Sequence, residues 1–311
     1  MGKVILRRLG TVVPTLVIAT VVVFMLIQLV PGDAALSSLG EGASKAAVAA
    51  RRQQLGLNAP LATQYWRWLI KVLHGNLGNS LLTGEPVRTA IAQALPVTLT
   101  VVVAALVMSI VLGVSSGIIA GWNANRLPDR IVTAISAAGV AIPTFWLALI
   151  LVSFFALQRH WLPATGYISV TADPVQAAKH VILPAFALGL VGAAEISRQL
   201  RSAMITALAS DYVRTLYAKG LPRHLIIWHA VRNSAVPLLT ILGLQVNRFL
   251  GATVVIEAVF GLAGLGQLIL SATLQKDFVV IQGVVLIMAI VVIVTNLIVD
   301  ISYRLVDPRI R

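Results

Sequence analysis

Cysteine is absent from this 311-residue chain, and charge is scarce: 11% of the residues are Asp, Glu, Lys or Arg, while 58% are hydrophobic. Without cysteine there is no disulfide framework, no thiolate metal site and no thiol nucleophile. Soluble domains carry about 25% charged and roughly 45–50% apolar residues, so a soluble enzyme built on a single core is excluded. The five histidines, at 74, 160, 180, 224 and 229, are scattered along the chain, and no converging carboxylates complete an acid–base constellation. No G-x-x-x-x-G-K-[ST] phosphate cradle occurs. What charge there is leans one way, 24 Lys and Arg against 11 Asp and Glu, a net +13. No basic stretch is interleaved with aromatics, as single-strand nucleic-acid binders require, so nucleic acid is not the expected partner.

The apolar residues come in blocks as long as a bilayer is thick. A hydrocarbon core of about 30 Å needs roughly 20 helical residues. Six segments qualify: Leu9–Val30, Leu95–Gly121, Ile131–Leu157, Val181–Glu195, Pro237–Ala258 and Val279–Tyr303. The fourth reaches spanning length only if it runs on through Arg198. With the N-terminus inside, the inner segments hold most of the cations, among them Lys3, Arg7, Arg8, Arg126, Arg130, Arg201, Arg214 and Arg304. The two short outer loops hold only Arg159, Lys179 and Lys276. That bias places both termini in the cytoplasm. The first block is longer than the core of a signal peptide and lacks a clear cleavage site, so it reads as a retained helix.

The expected architecture is therefore all-α and polytopic. Residues 1–30 form a cytoplasmic N-terminus and first span, residues 31–94 an extracytoplasmic segment, residues 95–303 a five-helix core, and residues 304–311 a cytoplasmic tail. In the outer segment Leu61, Tyr65, Trp68, Leu69 and Val72 recur at helical spacing from Pro60, which predicts an amphipathic helix lying on the membrane surface. Gly113, Gly117 and Gly121 form a tandem GxxxG, either a close helix contact or ordinary glycine enrichment of a membrane helix. Pro143 predicts a kink in the third span.

The inner connection from Gln199 to Val236 is long for a link between spans. Residues 203–219 are rich in helix formers and stop at Gly220 with Pro222 beyond, and a second helical stretch runs from Leu225 to Asn233. Asp211, Arg214, Lys219 and Arg223 alternate with Tyr212, Leu216, Tyr217 and Leu221. Apolar groups edged by charge favour docking on a protein, with lipid headgroups as the alternative.

These residues carry a resemblance. The runs Asp211-Tyr212-Val213-Arg214-Thr215, Ala218-Lys219-Gly220-Leu221, Arg223 and His229-Ala230-Val231-Arg232-Asn233 resemble the EAA loop of ABC importer permeases, in the form of the dipeptide/oligopeptide/nickel family. The likeness extends through Pro31-Gly32-Asp33, Gly75-Asn76-Leu77-Gly78-Asn79-Ser80, Ile142-Pro143-Thr144-Phe145-Trp146, Gly264-Leu265-Gly266, Lys276-Asp277-Phe278 and Asp307-Pro308-Arg309. It fits best the first of the two permeases in such systems. Leu216-Tyr217 and Ala263 depart from the usual pattern.

The resemblance implies a type I (MetI-like) importer permease in a bacterial inner membrane, multi-pass and bound by lipid. It would pair with a second homologous permease, two ATP-binding-cassette ATPases and an extracytoplasmic substrate-binding protein that delivers di- or oligopeptides. This chain would bind no metal and no cofactor; ATP and magnesium would sit on the ATPases. The coupling surface would comprise Asp211, Tyr212, Arg214, Thr215, Ala218, Lys219, Gly220, Leu221 and Arg223. Among charges inside the spans, Arg248 should face a pathway or pair with a carboxylate across an interface, because an isolated cation there costs about 2.5 kcal/mol or more. Asn247 joins it as a candidate. Glu195 and Arg198 are expected to neutralise each other at one turn's spacing, and Glu257 to meet the binding protein or water near the outer surface. A self-sufficient secondary transporter or channel is the alternative, but Gln28, Asn247, Arg248 and Asn296 are few and dispersed for coupling-ion sites. An intramembrane enzyme lacks its constellation.

Overall fold

Long apolar blocks with no strand alternation have one stable form in hydrocarbon, the helix, because it satisfies its own backbone. The computed structural model describes residues 2–29, 34–39 and 42–306. These form thirteen α-helices and one π-helical segment; among the described residues the only β pairing is an isolated bridge between Asn79 and Pro86. Four helices are long and apolar enough to cross a membrane, and a fifth span is formed if a bent helix pair counts as one. The motifs at 31–33 and 307–309 lie outside the described residues.

The chain divides into two compact units, 1–97 with 263–294, and 98–262 with 295–311. In the first, α1 (Gly2–Leu29), α2 (Ala34–Leu39), α3 (Lys45–Leu55) and α4 (Leu61–Leu73) precede the start of α5 (Val87–Trp122). The expected amphipathic helix is α4, and its aromatic face has a partner within the chain. Tyr65 and Trp68 pack their rings on Phe24 of α1, at 5.5 and 5.9 Å, and the Tyr65 hydroxyl lies 3.0 Å from that of Thr20. Trp66, Ile70 and Leu73 remain exposed. The same unit holds α12 (Leu265–Leu274) and the beginning of α13 (Phe278–Val306). Asp277 caps α13 through Val280 N and also accepts from Ser80 Oγ at 2.5 Å and Leu81 N at 3.3 Å. Two motif runs almost two hundred positions apart thus share one carboxylate. Gly283 is seated on Val87, where an added Cβ would stand 2.6 Å from Val87 Cγ1.

The second unit is organised on α8 (Pro174–Leu208), which far exceeds the expected Val181–Glu195. Asp173 caps its N-terminus by accepting from Val175 N and Gln176 N, and Pro174 fills the first turn, where a missing N–H is harmless. Against α8 pack α6 (Leu127–Ala141), α7 (Thr144–Leu151) and α11 (Ala235–Phe260). The kink expected at Pro143 is a full break: α6 and the continuation of α7 through π-helical residues 152–158 meet at 99°. Proline removes the N–H that would bridge the turn and pushes Ile142 into extended backbone, ψ 122°.

The tandem GxxxG is a contact within the chain. A Cβ on Gly113 would lie 2.7 Å from the Ala193 carbonyl oxygen, on Gly117 2.9 Å from Leu200 Cβ, and on Gly121 2.8 Å from Met204 Cβ. Gly189 and Gly192 of α8 answer toward Ala105 and Ser109 of α5, and Ser109 Oγ donates to the Gly189 carbonyl at 2.7 Å. Gly113→Ala should cost about 1–3 kcal/mol by overpacking, seen as a lower melting temperature of the purified protein in detergent. Gly251→Ala, where nothing lies within 4 Å, should leave it unchanged.

Candidate functional site

Beyond the last contact with α5, α8 continues to Leu208 and then breaks at Ala209-Ser210, so the expected single helix over 203–219 is two. Ser210 takes extended backbone (φ −82°, ψ 155°) and Asp211 opens α9 (Asp211–Ala218). A serine followed by an acidic first-turn residue is a start signal; the run of helix formers obscured it. Gly220 ends α9 with φ 74°, and Leu221 N donates to the Leu216 carbonyl at 3.2 Å while Gly220 N donates to that of Tyr217 at 2.9 Å. This is a Schellman closure, which needs the left-handed residue glycine supplies. Pro222 then starts α10 (Arg223–Asn233).

Only a few side chains tie this helical pair down. Val213, Ile226 and Ala230 are buried, the last joining Leu200, Met204 and Ala207 in a small core at the end of α8. The residues expected to dock are turned outward: Asp211, Tyr212, Arg214, Thr215, Ala218, Lys219, Gly220 and Arg223 are exposed, and Leu221 is half-buried. Tyr217, Leu225 and Trp228 add apolar surface, with Trp228 61% exposed. Asp211 and Arg214 approach only to 3.9 Å and stand almost wholly in solvent, so their attraction contributes little. The surface is turned outward, with its charges in solvent.

An ion pair that sequence reasoning missed holds the base of this platform. Arg201 of α8 donates through Nε and Nη2 to both carboxylate oxygens of Asp129, in the first turn of α6. Asp129 also accepts from Asn125 N at 2.7 Å and Thr133 Oγ1 at 3.3 Å, and it is 2% exposed. Arg201 had counted only as an inner cation. The available signal was an acid in the first turn after the Asn125-Arg126 corner, beside an arginine just past the fourth span.

The charges inside the spans are paired differently from expectation. Glu195 does not neutralise Arg198. Its carboxylate accepts from Gln245 Nε2 at 2.7 Å and from Arg248 Nη1, both on α11, whereas Arg198 is exposed. The reason is packing: α11 crosses α8 at this level and brings a fixed donor pair, while Arg198 lies one turn along on an open face. Arg248 therefore finds its carboxylate within its own chain. Asn247 Nδ2 donates to Asn296 Oδ1 at 3.4 Å. Glu257, expected near water, is fully buried and accepts from Thr98 Oγ1 at 2.6 Å. Asp129→Ala should destabilise the protein by about 3 kcal/mol, because it strands a partly buried guanidinium. Asp211→Ala should leave the melting temperature unchanged; thermal unfolding of both variants in detergent checks the contrast.

Residues 113–311 match the family described as binding-protein-dependent transport system inner membrane component, and residues 1–102 match its N-terminal counterpart. The chain is 38% identical over 312 residues to the probable peptide ABC transporter permease protein y4tP of Sinorhizobium fredii, covering 100% of both. It is 37% identical over 308 residues to the glutathione transport system permease protein GsiC of Salmonella paratyphi A, covering 99% of this chain and 98% of the relative. It is also 37% identical over 327 residues to the dipeptide transport system permease protein DppB of Alkalihalophilus pseudofirmus, covering 98% of each.

Proposed function

Because the chain belongs to the binding-protein-dependent transport system inner membrane component family and is a permease subunit of an ABC importer, not an enzyme, we propose that it forms half of a translocation path for di- and oligopeptides. The other half is a second, homologous permease. A substrate-binding protein on the outer side delivers the peptide, and two cytoplasmic ATPases, which hold the ATP and magnesium, drive the cycle. The chain crosses a bacterial inner membrane six times, with residues 1–30 and 304–311 reaching the cytoplasm and residues 31–94 lying outside. Peptide cargo is supported by the names of relatives that align along their whole length.

One observation carries the coupling role. The α9–α10 pair presents an outward face of tyrosines, an exposed tryptophan and solvated basic groups, while Val213 and Ile226 are buried and Ala230 joins Leu200, Met204 and Ala207 at the end of α8. Such a face costs the isolated chain solvated apolar surface and is stabilised by a docked partner. In this reading α9 seats in a groove of an ATPase. ATP-driven closure of the ATPase dimer moves α9, and α8 carries the motion into the bundle as a rigid body. The Arg201–Asp129 fork makes α6 move with α8 instead of lagging behind it. Arg248 and Asn247 belong to the pathway face of α11, whereas Glu257 supports the bundle from within.

Gly220→Pro tests the coupling. Proline cannot adopt φ 74°, so the loop closure is lost while the surrounding face keeps its composition. In nanodiscs containing the full transporter, loaded binding protein should stimulate ATP hydrolysis with the wild-type chain and fail to do so with Gly220→Pro, although all subunits still co-purify. Stimulation unchanged by the substitution would remove the loop from the coupling path.

A further inference from the structure

Apart from the loose, solvent-exposed pair of Arg214 and Asp211, the described residues of the second unit hold two close arginine–carboxylate pairs, and these differ in one respect. The Arg201 fork on Asp129 is closed: both Nε and Nη2 are engaged. Arg248 reaches both oxygens of Glu195 through Nη1 alone. Its Nε and Nη2 have no hydrogen-bond partner among the described residues, and 57% of its side chain is exposed. A guanidinium has a second edge that matches a carboxylate in bidentate fashion, and here that edge is spare.

Its surroundings suit a passing ligand. On α11 the exposed stripe runs Thr240, Leu244, Arg248, Gly251 and Val255, and beside Gly251 the space is open to 4 Å. From Glu195 the open face of α8 continues through Arg198, Gln199 and Ser202, all exposed. A half-exposed arginine in a membrane-spanning helix, beside the exposed polar residues of α8, cannot face lipid at tolerable cost. A protein partner closing over it would have to strip water from a pair that already neutralises itself. A wet passage leaves it hydrated. With Arg198 exposed one turn away, the local charge is net positive, which favours an anionic group.

We infer that Arg248 is a carboxylate-recognition point on the translocation path, its free Nε–Nη2 edge taking the C-terminal carboxylate of the peptide while Glu195, itself held by Gln245, keeps the guanidinium in position. This rests on the peptide-importer reading above. Glu195 also limits the affinity of the point: with one nitrogen already committed, the cation holds an incoming carboxylate long enough to orient it and still lets it go.

The test is uptake into proteoliposomes by the complete transporter, with a radiolabelled peptide and its C-terminal amide, each at a concentration that saturates the binding protein. The ratio of free-acid to amide uptake is read, so that the contribution of the binding protein, common to all variants, cancels. In Arg248→Lys, which keeps the charge but has no second edge, the ratio should fall about tenfold. The double variant Glu195→Gln/Arg248→Gln, which removes both charges together, should lower it likewise. An unchanged ratio overturns the inference, whatever happens to the overall rate. Loss of the second permease from the purified variant complex also overturns it and assigns the pair to the subunit interface. Absence of any ATP-driven peptide uptake by the wild type is a separate result, since it overturns the peptide reading before a variant is made.

Discussion

The close approach of α5 and α8 is the constraint on which the second unit depends. In lipid there is little hydrophobic drive between helices, so association relies on van der Waals contact and on hydrogen bonds that replace none to water. Three glycines of α5 and two of α8 remove the side chains that would hold the backbones apart, and Ser109 uses the gap to donate across to Gly189. Once α8 is fixed in this groove its length becomes useful. One stretch meets α11 at Glu195, the next meets α6 at Arg201, and Leu200, Met204 and Ala207 form the core on which α10 packs.

Polar groups in this bundle are placed by the same economy. Glu195, Glu257 and Asp129 each lie where a donor from another helix is held within reach, so none is left as an isolated charge. The cost of breaking such pairs is high because removing one partner exposes the other to a medium that cannot solvate it. The outward face of α9 follows the opposite rule. There the charges are solvated, the ion pair is loose, and the free energy resides in surface not yet buried.

Periodicity and composition made the helices readable, because a bilayer-length apolar block has no other stable form. The amphipathic α4, the glycine stop at Gly220 and the disruption at Pro143 were legible for local reasons: a helical stripe, a left-handed turn, a missing N–H. Charge pairing was not. Glu195 and Arg198 share a helix face and look like partners in one dimension, yet Arg248, fifty-three positions away, takes the carboxylate because α11 crosses there. Glu257 looked peripheral by position along its helix; which way that helix is rotated decides its burial, and here it faces inward, where Thr98 donates to it. The end of α8 was hidden in the same way, since helix propensity runs smoothly through residues 203–219 and only the extended backbone at Ser210 divides them.

The two arginine pairs show how one chemistry serves two ends. A forked arginine on a buried carboxylate resists both rotation and sliding, which is what a joint between α6 and α8 requires if α8 moves as proposed. An arginine held by a single nitrogen keeps its orientation but retains donors, and its half-exposed position leaves them hydrated. Closing the second pair with another carboxylate would turn the proposed recognition point into a strut. Opening the first would leave α6 tied to α8 by packing alone, so that, if α9 couples as proposed, its displacement would bend the corner at Asn125 instead of moving the bundle. In the proposed cycle, the distribution of spare hydrogen-bonding capacity, more than the number of charges, separates the parts of this chain that would transmit force from the part that would meet cargo.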